Sequence, residues 1–154
     1  MDLVEQFVSR AEAVAAKVTR VATRAEADAA VAAARAEAEA EGLSSDVACA
    51  ICGIASTGTC VVATDDEETR LATMLPEVSM IVLDAASIVP DLPDMAAILR
   101  ERQSAGRATY TSFITGPSRT ADIERVSAIG VHGPLALHIF VFGRQAGGQE
   151  PRQA

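Results

Sequence analysis

The stretch Val78-Ser-Met-Ile-Val-Leu83 decides how this sequence folds, because it is short and almost wholly apolar. An apolar run of this length predicts a strand buried on both faces of a parallel sheet. Thr64-Asp-Asp-Glu67 predicts the start of a short helix that extends to about Met74, where Pro76 prevents it from continuing. A second helix is predicted over 94–104. The buried strand therefore lies between two helices.

The rest of the chain continues this alternation. Helices are predicted over 2–16, 24–41 and 116–128, and strands over 17–22, 46–55, 60–63, 109–115 and 135–142. A continuous alanine-rich helix over 2–41 is the competing interpretation of the first segment. Alternating strands and helices predict an α/β fold with a mostly parallel sheet flanked by helices. Ligands in such folds bind at the carboxyl ends of the strands, which points to three turns at 56–59, 116–120 and 131–134.

Size and composition exclude several classes of function. The chain has 154 residues, which predicts a single domain over 1–144 followed by a mobile tail over 145–154. A net charge of -8 and only 3% aromatic residues argue against binding to nucleic acid. Acidic residues stand where a signal peptide needs basic ones, and no segment approaches the ~18 apolar residues of a membrane span. We therefore expect a cytoplasmic protein.

Three cysteines predict neither a disulfide framework nor a metal site. Their number is odd, which fits a reducing compartment. Cys49 and Cys52 have a ligand-like spacing, but residues three apart on a strand face opposite sides. We interpret them and Cys60 as small buried hydrophobic residues. The four acids over 65–68 favour the amino end of a helix over a metal ion.

One motif is suited to binding an anion. In Ile114-Thr-Gly-Pro-Ser-Arg-Thr-Ala-Asp-Ile-Glu124 a strand, a glycine turn and a predicted helix start follow one another. Gly116 permits close backbone approach, Pro117 stiffens the bend, and Ser118 or Thr120 can cap the helix. Arg119 adds a forked cation for a carboxylate or phosphate. A well-capped helix with an exposed arginine explains the same residues equally well.

The candidates for proton transfer are His132, Asp122 and Glu124. His132 lies in the loop Gly130-Val-His-Gly-Pro134, where it could exchange protons, bind an anion or hydrogen-bond a neighbouring turn. Asp122 and Glu124 are two residues apart on the predicted helix and do not share a face, which argues against a paired-carboxylate catalyst. We interpret Asp122 as a brace for the glycine turn. His138 alternates with apolar residues in its strand and is interpreted as a packing residue.

These blocks resemble the LUD domain of bacterial lactate-utilisation proteins. The likeness is carried by Thr115-Gly-Pro-Ser-Arg-Thr-Ala-Asp-Ile-Glu124, by Gly130-Val-His-Gly-Pro134 with His138, and by Ile54-Ala-Ser-Thr-Gly-Thr59 and Leu75-Pro76 with Ile81-Val-Leu-Asp84. It covers 46–142, and the segment over 1–45 matches the domain more loosely. Ser56 departs from the family pattern, which usually has a glutamate at that position.

The resemblance implies a fold of the NagB/RpiA/CoA-transferase-like group. It also implies an accessory subunit in the oxidation of L-lactate to pyruvate, without a cofactor of its own and with iron–sulfur clusters in partner subunits. The residues expected to bind a small anionic metabolite lie in the three turns: Thr57, Gly58, Thr59, Gly116, Pro117, Ser118, Arg119, Thr120, His132 and Gly133.

Two other functions fit the same residues. One is a stand-alone enzyme acting on a carboxylate, a phosphosugar or an acyl group, suggested by fold analogy and the Gly116 turn. The other is a regulatory module that binds a ligand and acts through an oligomer. Small side chains on the first two predicted helices could support a homodimer.

Overall fold

The computed structural model describes residues 1–106, 110–121, 127–129 and 133–144. In chain order the elements are α1 (Leu3–Ala13), β1 (Lys17–Val21), α2 (Arg24–Ala40), β2 (Ser45–Cys49), β3 (Cys52–Ile54), β4 (Thr59–Thr64), α3 (Glu67–Ala72), β5 (Val78–Asp84), β6 (Ile88–Val89), α4 (Leu92–Ser104), β7 (Tyr110–Ile114), β8 (Arg119–Ala121), β9 (Ser127–Ile129) and β10 (Ala136–Phe142). A turn of 3-10 helix, Ala85–Ser87, links β5 to β6.

Polar side chains fix where the helices begin. The Asp2 carboxylate accepts a hydrogen bond from the Glu5 amide at 2.8 Å, and the Thr23 hydroxyl accepts one from the Glu26 amide at 3.2 Å. These caps satisfy amides that have no partner within the helix. Because α1 and α2 are separate helices with β1 between them, the competing interpretation of one helix over 2–41 is wrong.

The first sheet is parallel throughout and has four strands in the order β1-β10-β5-β2. The apolar stretch over 78–83 lies in β5, and its residues over 79–83 are all buried, as predicted. β10 is the last described strand, and it lies between β1 from the beginning of the chain and β5 from its middle. Its register places Leu137 opposite Ser79.

The second sheet is mixed and has the order β6-β3-β4-β7. β3 and β4 form an antiparallel hairpin around the turn at 55–58, and β7 pairs antiparallel with β4. The prediction of an α/β fold with a mostly parallel sheet flanked by helices is confirmed, although eight of the ten described strands divide between two four-stranded sheets. Sequence patterning misses this division because a tight hairpin turns the chain back without a helical crossover.

Apolar residues form three layers of core. α2 covers one face of the first sheet, where Ala27 and Val31 pack with Met80 and Phe140. The other face packs against α1 and the second sheet, and Phe7 at its centre is fully buried. α4 covers the outer face of the second sheet. Its predicted apolar face is confirmed, because Met95, Ile98 and Leu99 all pack there.

The predicted helix over 116–128 is wrong. Arg119–Ala121 forms β8, which pairs antiparallel with β9 in a two-stranded sheet of its own. The glycine, proline and acids of this segment are local helix-start signals, whereas pairing with residues over 127–129 is not visible in a local pattern. Thr120 and Ile129 are β-branched and favour a strand.

Two further predictions concern the limits of the chain. The single domain over 1–144 stays a prediction, and the tail over 145–154 lies outside the described residues. Of the helices in the described part of the chain, none combines the length and apolar character needed to cross a membrane.

Candidate functional site

An open cleft of about 840 Å³ enters between the two sheets. Glu77 and Ser79 line it at the amino end of β5, and Pro134 and Leu137 line it at the amino end of β10. The opposite wall is the end of β7 with the turn over 115–118. The cleft therefore lies at the amino edge of the parallel sheet, opposite the edge that the carboxyl-end rule indicates.

Three threonine hydroxyls connect the predicted turn at 56–59 to the residue directly before the predicted turn at 116–120. The Oγ1 atoms of Thr57 and Thr59 are 2.7 Å apart, and those of Thr59 and Thr115 are also 2.7 Å apart. Thr59 is buried and Thr115 lines the cleft. A hydroxyl chain of this kind can be polarised from one end to the other, because each hydroxyl both donates and accepts.

The end of the predicted turn at 131–134 contacts the predicted turn at 116–120. The Ser118 amide donates to the Pro134 carbonyl at 3.0 Å. A Cβ added to Gly133 would lie 3.0 Å from the Ser118 Cβ, so this position has little room for a side chain. The structure thus brings together Thr57–Thr59, Thr115–Ser118 and Gly133. Whether they bind a ligand stays a prediction.

Gly58 and Gly116 have a packing role that the sequence did not reveal. Both have positive φ, 68° and 69°. A Cβ at Gly58 would collide with the backbone of Arg10 and Ala11, and one at Gly116 would collide with the carbonyl oxygen of Val14. Sequence reasoning assigned the close approach at Gly116 to a ligand, but the group that approaches is the end of α1. Gly58 likewise packs on α1 and is absent from the described lining of the cleft.

The predicted anion cradle at a helix N-terminus is not formed. Arg119 and Thr120 lie on β8, opposite Ile129 and Ala128, so neither residue is in a helical first turn. A helix dipole therefore does not add to the charge of Arg119 here, and binding of an anion by Arg119 stays a prediction. Asp122, Glu124 and His132 lie outside the described residues, and their proposed roles stay predictions.

His138 is a packing residue, as predicted. Its Nε2 is 2.8 Å from the Thr19 hydroxyl, and its ring stacks on Phe140 with centroids 4.0 Å apart. Burial, with a smaller contribution from the charge of Lys17, lowers the pKa of His138 to about 4. The imidazole is therefore neutral at physiological pH and holds β1 against β10.

The cysteines divide into two kinds. Cys52 and Cys60 are fully buried, and burial raises the pKa of both thiols, that of Cys52 to about 11. Cys49 is exposed at the end of β2, where an Arg24 guanidinium nitrogen lies 3.5 Å from its sulfur, so its interpretation as a buried hydrophobic residue is wrong. Among the described residues no group of three or more His, Cys, Asp or Glu could hold a metal ion.

Ser79 is the cleft residue that sequence reasoning missed. It is 1% exposed, lines the cleft, and its hydroxyl has no hydrogen-bond partner among the described residues. A serine inside the apolar stretch Val78-Ser-Met-Ile-Val-Leu83 was the available signal. Its place in this nearly apolar run predicts a residue of a buried strand, and the sequence does not indicate that it borders a cleft.

Comparison with known proteins decides the family. A model of the LUD domain matches residues 30–142, which include every described residue that lines the cleft. The chain belongs to the LUD domain family. The match begins within α2 and ends with β10, so this LUD domain contains the central part of both large sheets.

Relatives of this LUD domain are known by sequence and by structure. The chain is 34% identical over 92 residues to "Uncharacterized protein YkgG" of Escherichia coli, and 36% identical over 94 residues to "Lactate utilization protein C" of Geobacillus thermodenitrificans. These matches cover 58% and 59% of this chain, and 40% and 39% of those relatives. The chain thus matches about two-fifths of the length of these relatives.

A solved structure of another protein supports the fold of this LUD domain and nothing beyond the fold. A DUF162 family protein from Deinococcus radiodurans superposes with a TM-score of 0.68 at 20% sequence identity. The superposition covers 92% of this chain and 96% of the other. At this level of identity the likeness extends to architecture and not to the residues of the cleft.

Ser56 is the position at which this LUD domain departs from the pattern expected for the family. Its hydroxyl donates to the Asp91 carboxylate at 2.8 Å, and its amide donates to the Pro90 carbonyl at 3.1 Å. Asp91 caps α4, and hydrogen bonds from the Leu92 amide and from Ser56 lower its pKa. Here Ser56 fastens the β3–β4 hairpin to the start of α4.

Proposed function

We propose that this chain is a cytoplasmic accessory subunit of a bacterial lactate-utilisation system that oxidises L-lactate to pyruvate. The proposal is carried by one observation: residues 115–118, the first four of the block that resembles the LUD domain, line the large cleft in a chain that matches the LUD domain model. Relatives named lactate utilization protein C connect this domain to lactate use.

On this proposal, electrons pass through iron–sulfur clusters in partner subunits rather than through this chain. The packing of two of its three cysteines supports such a division of roles. Cys52 lies with Ile54, Val61 and Met95 in the core under α4, and Cys60 lies in the core beside α1. A thiol held protonated by burial is a poor metal ligand, because metal binding requires the thiolate.

The proposed ligand of the accessory subunit is a small anionic metabolite at the mouth of the cleft. The Ser118 hydroxyl, the Thr115 hydroxyl and the backbone at Gly116 lie on the wall that borders the mouth. Arg119 follows this wall in the sequence and supplies the cation that a carboxylate would need. Hydroxyl and amide groups alone do not compensate the charge of a carboxylate that is removed from water. We therefore expect the removal of Arg119 to lower the affinity for the ligand most.

The experiment is an affinity purification under anaerobic conditions from the source organism grown on L-lactate. The tagged chain is expected to recover an iron–sulfur protein, and deletion of its gene is expected to slow growth on lactate but not on glucose. An untagged strain and a deletion strain carrying the wild-type gene are the controls. Recovery of no iron–sulfur partner, together with normal growth of the deletion strain on lactate, would contradict the proposal and favour a stand-alone enzyme or regulatory module.

The ligand is tested separately by thermal unfolding with L-lactate, pyruvate and phosphate. A ligand that binds only the folded state raises the Tm in proportion to its concentration above Kd. The Arg119→Gln variant is expected to lose this shift, whereas Arg144→Gln, at the far end of β10, is expected to keep it. An equal shift in both variants would argue against an anion at the cleft mouth.

A further inference from the structure

The buried hydroxyl of Ser79 has no structural use that the described residues explain. Its side chain is 1% exposed and its Oγ makes no hydrogen bond to the described part of the protein. A buried hydroxyl without a partner destabilises a fold, whereas alanine in the same place would not. Thr73 in the same cleft shows the ordinary arrangement, since its hydroxyl donates to the Arg70 carbonyl at 2.7 Å.

Ser79 faces the space that the cleft enters. Side chains on a strand alternate between its faces, so Ser79 lies on the same face of β5 as Ile81 and Leu83. Those two residues pack in the core between the sheets. Leu137, opposite Ser79 on β10, belongs to this core and lines the cleft as well. The unpartnered hydroxyl is therefore at the base of the cleft, next to an apolar side chain.

The lining around this base is apolar or uncharged. Leu137 on β10 and Ile114 on β7 provide aliphatic surface, and Ser112 on β7 adds a hydroxyl. Among the described lining residues none is a Lys, Arg or His, and the one acid, Glu77, accepts a hydrogen bond from the Ser44 amide at 2.8 Å. An ion brought to this depth would lack a compensating charge from these residues.

We propose that the cleft binds an organic molecule through an uncharged carbonyl, hydroxyl or amide group that pairs with the Ser79 hydroxyl. The apolar part of the molecule lies along Leu137 and Ile114. A volume of about 840 Å³ is in the range of clefts that bury cofactor-sized ligands, and it is large for a three-carbon acid. The proposal is independent of the lactate role, because it concerns the base of the cleft and not the anion at its mouth.

The first test needs no ligand and uses thermal unfolding. Ser79→Ala removes the unpartnered hydroxyl and is expected to raise the Tm by about 2–4 °C. Thr73→Val removes a hydroxyl that has a partner and is expected to lower the Tm. A Tm for Ser79→Ala at or below that of the wild type would overturn the proposal, because Ser79 would then be hydrogen-bonded within the fold.

The second test measures binding with two probes that share one ring, N-methylbenzamide and benzoate, by NMR titration. The neutral amide is expected to shift the resonances of Ser79, Ile114 and Leu137, and to bind at least fivefold tighter than benzoate. In Ser79→Ala its Kd is expected to rise about fivefold, the loss of one hydrogen bond. Shifts outside the cleft only, tighter binding of benzoate, or an unchanged Kd in Ser79→Ala would each overturn the proposal.

Discussion

His138 makes the stability of the fold depend on pH. Its pKa in the folded protein is about 4 because the ring is buried, against an ordinary value of 6.5. Between these two values the unfolded chain binds a proton that the folded chain does not, so the contribution of His138 is complete above pH 6.5 and is lost as the pH falls to 4. We expect the wild-type Tm to fall more steeply over this interval than that of His138→Gln.

Thermal unfolding at half-unit steps from pH 4 to 7 checks this prediction. Carboxylates titrate in both proteins, so the difference between the two curves isolates the histidine. NMR titration of the His138 ring should show a neutral imidazole down to about pH 4. Parallel Tm curves for the two proteins would mean that His138 titrates normally in the fold.

Ser56 offers a test of the departure from the family pattern. Its hydroxyl donates to Asp91, and a glutamate in its place would set a second carboxylate beside that one. We expect Ser56→Glu to lower the Tm at pH 7, and Ser56→Glu combined with Asp91→Asn to recover most of the loss. Ser56→Ala, which removes only the hydrogen bond, should lower the Tm less than Ser56→Glu. Failure of the double variant to recover would show that the glutamate clashes by size rather than by charge.

At the scale of elements, α1 packs against two glycine turns at once. Gly58 meets the backbone at Arg10 and Ala11, and Gly116 meets the Val14 carbonyl. We expect Gly58→Ala to lower the free energy of unfolding by about 2–4 kcal/mol, because it adds a collision with the backbone of α1 to the strain of a positive φ. Gly42→Ala is the matched control, since Gly42 has a φ of 75° and open space around it. Gly42→Ala should lower the free energy of unfolding by about 1 kcal/mol.

Urea unfolding of the two variants measures the difference. The strain of the left-handed backbone is common to both, so the excess cost at Gly58 reports the contact with α1 alone. Equal losses at Gly58 and Gly42 would mean that α1 moves away without cost.

Elements with strong local signals could be predicted from the sequence. β5, α2 and β10 follow from apolar runs and capping residues, and the structure confirms them. The segment over 116–128 could not be predicted in this way, because β8 and β9 are stabilised by pairing with each other rather than by their own propensities. A local pattern reports what a segment prefers, and tertiary pairing decides what it forms.

The candidate site was predictable as a set of turns but not as a cleft. The sequence indicates that the turns at 56–59, 116–120 and 131–134 matter. Hydrogen bonds join Thr59 to Thr115, directly before the second turn, and Ser118 to Pro134 in the third. Which edge of the sheet they border depends on strand order, and β10 lies between β1 and β5 although it follows both in the chain. Strand order is a property of the whole molecule, so residue spacing did not reveal that Ser79 reaches the cleft.

For the molecule as a whole, the two inner strands of the parallel sheet should be the last to open. β10 and β5 are each paired on both sides, whereas β1 and β2 lie at the edges of the described sheet. We expect amides of β10 and β5 to exchange with solvent at least tenfold more slowly than those of β1 and β2. Hydrogen exchange followed by NMR tests this. Uniform rates over the four strands would indicate that the sheet opens only in one global step.

The position of β10 also has a consequence for how the chain is made. A ribosome delivers β1, β2 and β5 long before β10, which follows every other described strand in the sequence. Until then β1 has no neighbour in its sheet, and one side of β5 is open. The growing chain therefore carries the unpaired edge of β1 through most of its synthesis and that of β5 from residue 84 onward, and the sheet closes only when β10 emerges between them.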